Sequence, residues 1–294
     1  MILDNLRKRS AMLRALREFF YAHDFFEAET LVRIPAPAPE EYIEAVSADN
    51  GFLRTSPELA LKRLLAEGGE RFFEIGSAFR SGEYGRKHRE EFTILEYYAA
   101  RWDYRKLAKF TAELFAAAAR AVCGSERIVF RGRELDLSRA EFVTVDAAYH
   151  RYTRVSAFDA DARGDFDELM VTKVEPELGN SGITFLIDYP AARASLSRLS
   201  AADPRVAERW EVYIAGIELG NAFGELVDAA EQKRRFADAY KFRAAQGMKP
   251  YPEPEDFYAA LKCGIPESSG CAVGVDRLAM ILCDADDIGM VRWE

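Results

Sequence analysis

The spacing of apolar residues changes along the chain, and each change marks a new element. From residue 5 to 22 apolar side chains (Leu6, Met12, Leu13, Leu16, Phe19, Phe20) recur at helical spacing, which predicts an amphipathic helix. Residues 25–30 (FFEAET) then alternate as a strand does, and the proline-rich run 34–41 (IPAPAPEE) breaks the pattern. Residues 52–55 read as a short strand leading into Ser56-Pro57-Glu58 and a helix over 59–68. Serine as cap, proline at the first helical position and glutamate after it is a helix-start signature, so Glu58 has a structural role available to it.

Residues 71–80 and 92–101 read as two long strands joined by a charged, glycine-containing loop. Period two places Phe92, Ile94, Glu96 and Tyr98 on one face of the second. An alanine-rich helix is predicted over 104–122. Residues 125–190 show only short hairpin-like pieces and an acidic stretch, 159–169, expected as a surface loop or small helix. Strand patterning returns over 205–226, helical patterning over 229–247 and 254–263, and a short strand at 272–275 feeds a helix from Asp276. Hairpins rather than βαβ units predict an α+β domain with a mainly antiparallel sheet flanked by helices. A Rossmann fold is disfavoured, since no glycine-rich strand-to-helix turn stands near the start.

At 294 residues and 49% hydrophobic, the chain can bury one large core, so a single catalytic domain over 1–294 is expected. No apolar run reaches the ~18 residues of a membrane span, and the amino-terminal helix lacks a small-residue cleavage site. A cytoplasmic protein with no membrane partner is expected. Cys123, Cys263, Cys271 and Cys283 form no Cys-x-x-Cys pair, and only three histidines are present, so neither a zinc site nor a disulfide framework is suggested. A net charge of −9 argues against a chain whose main task is gripping nucleic acid. Two short basic runs, 86–89 and 233–235, read as solvated faces.

Candidate chemistry lies mostly in the last third. A hairpin turning near Ala215-Gly216 would make Glu211 and Glu218 diagonal neighbours, roughly 7–8 Å apart. Two carboxylates at that spacing suit Mg²⁺ or Mn²⁺ carrying a nucleotide phosphate, although a solvated acidic hairpin would show the same pattern. Arg80 ends a long strand, and Arg277 stands in the first turn of a helix preceded by Gly270, Ala272 and Gly274. With a metal, the two arginines could clamp a triphosphate, or Arg277 could simply pair with Asp276 or Glu267. Phe92 could offer a face to adenine, or be core. Glu58, Glu96 and Glu225, with Asn221 and Tyr98, would form an acidic pocket for a substrate carrying two ammonium groups. Simple alternation puts Glu218 on the wrong face for that pocket, so a bulge near Gly220 is expected.

These segments together resemble the class II aminoacyl-tRNA synthetases, and within them the lysyl branch. Residues 78–98 resemble motif 2, which implies ATP contacts from Arg80, Ser81, Gly82, Glu83, His88, Arg89 and Phe92. Residues 270–278 resemble motif 3, implying Gly274 and Arg277 as further ATP contacts and Arg80 with Arg277 as the catalytic pair. Residues 55–65 and 211–226 resemble the lysine and metal segments. They imply Ser56, Pro57, Glu58, Glu96, Tyr98, Glu218, Asn221, Glu225 and Ala272 around the lysine, Glu211 and Val212 on the nucleotide, and Glu211 and Glu218 on the metal. Leu31 stands where proline is usual in motif 1, and Arg80-Ser81-Gly82 where Arg-x-Glu is usual.

The catalytic helix begins by about residue 5, where a lysyl-tRNA synthetase would carry an anticodon-binding OB domain, so none is expected here. The likeness is therefore closest to the stand-alone lysyl-synthetase paralogues that modify elongation factor P. In that family alanine at the position of Ala272 accompanies a preference for (R)-β-lysine over lysine. The resemblance implies ATP and Mg²⁺, an aminoacyl-adenylate, transfer to a lysine side chain of elongation factor P, and a homodimer built on motif 1, residues 25–35; it makes tRNA a disfavoured partner. The alternatives are a lysine-activating ligase acting on tRNA or a small amine, and an inactive synthetase-like binding module.

Overall fold

The computed structural model describes residues 2–293. Helix α1 (Ile2–Ala22) buries Met12, Leu16 and Phe20, the face that the periodicity marks. The alternating segment after it yields only the two residues of β1 (Phe26–Glu27). It ends early because Thr30 turns to a buried ion pair, donating to Glu74 at 2.8 Å and accepting from Arg54 at 2.7 Å. Three short strands, β2 (Arg33–Ile34), β3 (Ser47–Ala48) and β4 (Gly51–Leu53), make a small separate sheet around the proline-rich loop.

Helix α2 (Glu58–Ala66) starts where the cap signature predicts, with Ser56 Oγ accepting from the Glu58 N–H at 2.9 Å. The two long strands β5 (Arg71–Phe79) and β6 (Glu91–Ala100) pair antiparallel in unbroken register from Arg71↔Ala99 to Phe79↔Glu91. Helix α3 (Tyr104–Cys123) is capped by the Asp103 side chain and closed by Gly124 in the left-handed region, φ 71°.

The region with the weakest pattern contains β7 (Arg127–Phe130), β8 (Arg133–Thr144) and helices α4 (Val145–Thr153), α5 (Ala157–Arg163) and α6 (Phe166–Leu169). A π-helical turn, Met170–Val174, and a 3₁₀ turn, Glu175–Glu177, lead into β9 (Gly182–Pro190). The acidic stretch is thus two short helices, held by Tyr149 stacked on Phe166 at 4.8 Å. After it come the hairpin β10 (Val206–Ile214) and β11 (Ile217–Gly224), then α7 (Ala229–Ala245), α8 (Glu255–Cys263), β12 (Ser268–Gly274) and α9 (Val275–Leu282).

The described residues form a nine-stranded sheet in the order β1-β5-β6-β12-β11-β10-β9-β8-β7. Only β1/β5 and β8/β9 run parallel, so the expected mainly antiparallel α+β fold is what forms. One face of the sheet carries Leu95, Tyr97, Trp210, Leu219 and Val273 into a core covered by α1, α3 and α9. Ile94, Glu96 and Tyr98, on the opposite side of β6, turn to the other face, on which α2, α7 and α8 pack and where a cavity opens beside the start of α2. The four cysteines are free, two buried and two exposed. No helix among the described residues is long and apolar enough to cross a membrane.

Candidate active site

The hairpin turns at Ala215 and Gly216, both with positive φ (52° and 69°), as a two-residue connection requires. Glu211 pairs with Asn221 and Tyr213 with Glu218, leaving Leu219 as the extra residue of a bulge. That residue drops into the core, and the bulge brings Glu218 to the same face as Asn221 and Glu225. The expected kink is therefore present, one residue before Gly220.

These strands line a cavity of about 190 Å³. At one end Ala272 stands directly between Glu96 of β6 and Asn221 of β11 in the strand register. Ser56 Oγ and Tyr98 OH both donate to the Glu96 carboxylate, the latter at 3.2 Å. Burial, with the Glu58 charge beside it, still pushes Glu96 up to about 8. Glu225 is likewise raised by burial, to about 7, against the opposing pull of Lys62. Its Oε1 has no hydrogen-bond partner among the described residues, an orphaned acceptor that an ammonium donor would satisfy. Gly270 keeps this corner open, since a Cβ there would run into the Tyr98 ring and lie 2.5 Å from Glu225 Oε1.

The carboxylates are not all free, however. Lys62 of α2, fully buried, lies 2.5 Å from Glu58 and 2.6 Å from Glu225. Burial acts to lower its pKa, but the two carboxylates outweigh that and hold it above the ordinary lysine value. Sequence reading missed Lys62, although the Glu58–Lys62 spacing of four residues on a helix was a signal for the pair.

At the other end stand Arg80, Phe92, His88 and Arg277. The Arg80 guanidinium lies 5.0 Å from the Phe92 ring centroid and 3.8 Å from Glu83. Arg277 donates to the Glu218 carbonyl at 2.9 Å and to His88 Nε2 at 2.7 Å. A guanidinium offers no acceptor, so Nε2 is the bare nitrogen of a neutral imidazole. Burial and then the Arg277 charge lower the His88 pKa, in keeping with that tautomer. Asp276 pairs instead with Arg9, at 2.5 Å, so Arg277 is not spent on its neighbour. Arg89 and Gly274 also line this end, with Arg89 3.0 Å from Asp287.

Five expected site residues lie outside the cavity lining. Val212 is buried in the core beneath the sheet, because alternation turns it away from Glu211. Pro57 borders a second, neighbouring cavity. Ser81 and Gly82 sit at the loop base, their N–H groups bonded to Glu44 O at 2.7 Å and Glu90 Oε1 at 2.7 Å. Glu211 is held by Arg209 at 2.6 Å and by Tyr213 OH at 2.6 Å, and Arg209 also reaches Asn221 Oδ1 at 3.3 Å.

Glu175, from the 3₁₀ turn, was not foreseen. Burial, then Glu211, then Glu218 push its carboxyl up to about 7. Mutual repulsion at this spot would be relieved by a cation, and the all-oxygen donors fit Mg²⁺. Among the described residues no group of three or more His, Cys, Asp or Glu is close enough to chelate an ion unaided. The donor set therefore suits an ion that keeps substrate phosphate oxygens as its remaining ligands. The basic run 233–235 is engaged locally, Arg234 and Arg235 both reaching Glu231 at 2.7–2.8 Å.

An antiparallel sheet with two arginines and a cluster of buried carboxylates in one cavity is the catalytic core of a class II aminoacyl-tRNA synthetase. The chain belongs to the family described as tRNA synthetases class II (D, K and N), which matches residues 1–293. It is 36% identical to the lysine–tRNA ligase of Methylobacillus flagellatus, over 95% of this chain and 60% of the relative. It is also 36% identical to the elongation factor P–(R)-beta-lysine ligase of Pectobacterium atrosepticum, over 98% of this chain and 93% of the relative. The corresponding ligase of Enterobacter sp. (strain 638) is 34% identical, over 98% and 94%. The chain thus spans about 60% of the length of the lysine–tRNA ligases it matches.

Proposed function

We propose that this protein activates lysine, or (R)-β-lysine, with ATP and transfers it to a lysine side chain of elongation factor P. The observation that carries this reading is the polarity of one cavity: Arg80 and Arg277 at one end, Glu58, Glu96, Asn221 and Glu225 at the other. A diamino acid bound with its amines among the carboxylates would place its carboxylate toward the arginines. There it attacks the α-phosphate of ATP, giving an aminoacyl-adenylate and pyrophosphate. Arg80 and Arg277 stabilise the charge that develops, and Phe92 offers its ring to adenine. Glu211 and Glu218 would hold Mg²⁺, which supplies neutralisation of the phosphate charge. The amine of the acceptor lysine then attacks the adenylate carbonyl and releases AMP.

Elongation factor P is favoured as acceptor because the chain matches the ligases of that protein over 93–94% of their length, and because the net charge of −9 suits a polyanionic partner poorly. Alanine at 272, between Glu96 and Asn221, narrows the amine pocket and supports (R)-β-lysine as the preferred substrate. A homodimer is supported by the apolar side chains exposed on the motif 1 segment, Phe26, Leu31 and Val32. A cytoplasmic location follows from that of its acceptor.

ATP–pyrophosphate exchange with each lysine isomer tests the first step, and no exchange with any amino acid would refute it. Mass measurement of elongation factor P after incubation tests the second. Charged tRNA with unmodified protein would overturn the acceptor.

A further inference from the structure

A carboxylate from the proline-rich loop enters the cavity beside the residues already described. Glu40 lines the same space as Ser56, Glu58 and Arg80. Its charged neighbours include Arg80 and Glu83 as well as Glu58 and Lys62, which places it between the arginine end and the acidic end of the cavity. Yet its carboxylate makes no hydrogen bond or ion pair with any described residue. Burial pushes it up to about 7 against the opposing pull of Arg80, with Glu58 and Glu83 adding to the rise.

The loop that delivers it is firmly built. Arg243 of α7, itself buried, donates to the carbonyls of Glu40 at 2.8 Å and Ile43 at 2.7 Å, and to the Glu44 carboxylate at 2.7 Å. The same guanidinium lies 4.0 Å from the Tyr251 ring centroid, and the Tyr251 hydroxyl accepts from the Ala45 N–H at 2.7 Å. The bond from Ser81 N–H to Glu44 O ties the loop to the strand end that presents Arg80. All of this scaffolding engages backbone or neighbouring side chains and leaves the Glu40 carboxylate unused. An acid held rigidly in a partly dehydrated place without a partner is costly unless a ligand supplies one.

We propose that Glu40 is a specificity-determining residue which, with Glu58, receives the substrate ammonium nearest the carboxylate under attack, and that Arg243 is its positioning residue. Lys62 already neutralises one charge shared by Glu58 and Glu225, so Glu58 alone would hold that ammonium weakly. Glu40 completes the pair. The inference rests on the activation reading above, and it names which carboxylate distinguishes substrates by the position of the proximal amine.

The test compares dissociation constants of L-lysine and 6-aminohexanoate, measured by calorimetry on the full chain. The second compound keeps the carboxylate and distal amine but lacks the proximal one. Glu40→Gln is expected to weaken L-lysine roughly tenfold, or about 1.4 kcal/mol, and to leave 6-aminohexanoate within about twofold. Glu40→Asp, which retracts the charge by one methylene, should fall between, while exposed Glu41→Gln changes neither ligand. Equal weakening of both ligands, or of neither, overturns the role assigned to Glu40. Wild-type protein that binds neither lysine isomer removes the activation reading itself, and this inference with it.

Discussion

Lys62 Nζ lies 2.6 Å from Glu225 Oε2, so one ammonium already occupies the pocket that the sequence presents as purely acidic. Glu40, Glu58, Glu96 and Glu225 would contribute four negative charges if ionised and Lys62 offsets one, so the carboxylates still outnumber the two amines of the proposed substrate. The internal cation lets the pocket be selective without tearing the fold apart when empty.

Replacing Lys62 with methionine removes the counter-charge but not the burial. The Lys62→Met chain is expected to lose about 3–5 kcal/mol of stability, the range for breaking a buried ion pair on one side. Urea unfolding at neutral pH measures it. A midpoint equal to the wild type would show that Glu225 does not depend on this lysine.

The raised acids set a pH dependence. Glu96 is pushed from 4.5 to about 8 and Glu225 from 4.5 to about 7, so the empty folded chain holds protons that the unfolded chain has released. The stability this contributes is complete below pH 4.5 and is lost as pH rises through about 8. A diammonium substrate favours the ionised carboxylates and reverses the trend. Its affinity is expected to rise between about pH 6 and 8, with protons released on binding. Calorimetry in buffers of different ionisation enthalpy reads that release, and a value of zero at pH 7 would exclude titration of these acids during binding.

Gly270→Ala tests the geometry of the same corner. The added methyl would press on the Tyr98 ring and on Glu225 Oε1. The expected cost is about 1–3 kcal/mol of overpacking strain, together with at least roughly tenfold weaker binding of the amino acid. Binding of a nucleotide at the far end should persist, which a fluorescent ATP analogue can show. Loss of both ligands in parallel would mean that the substitution disorders the sheet instead.

Much of this site was legible from residue order alone, because alternation along β6 and a two-residue turn at Ala215-Gly216 are local properties. They place Phe92, Glu96 and Tyr98 on one face, and the bulge at Leu219 follows from requiring Glu218 to join Asn221. What was not legible depends on distant segments meeting. Lys62 is one polar residue on a helix until β11 brings Glu225 against it, and Glu40 is a loop residue until Arg243, some two hundred positions later, fixes its backbone. The region 125–190 was obscure for the same reason, since its short helices are held by Tyr149 stacked on Phe166 and by packing of both against Leu186, Tyr189 and Tyr213 of later strands. One signal was present and unused: alternation puts Arg209, Glu211 and Tyr213 on a common face, which foretells their mutual bonds.

Arg277 links β11, the motif 2 loop and α9 at the proposed phosphate end, and its replacement separates positioning from folding. Its Nη1 donates to the Glu218 carbonyl and lies 3.4 Å from the Glu218 carboxylate, and its Nη2 donates to His88, so it fixes the motif 2 loop against β11. Lysine keeps the charge but loses the planar fork that spans both acceptors. Arg277→Lys is therefore expected to lower the rate of ATP–pyrophosphate exchange at least roughly hundredfold, the scale of losing one preorganised donor to a developing oxyanion. Unfolding stability should change by less than about 1 kcal/mol, because Arg277 is partly solvated and replaces no core contact. His88, with its pKa lowered from 6.5, stays neutral above that pH, so the exchange rate of the wild type should show no inflection from its ionisation at neutral pH or above. An Arg277→Lys chain with full exchange activity would remove the arginine from the phosphate clamp and leave Arg80 to act alone.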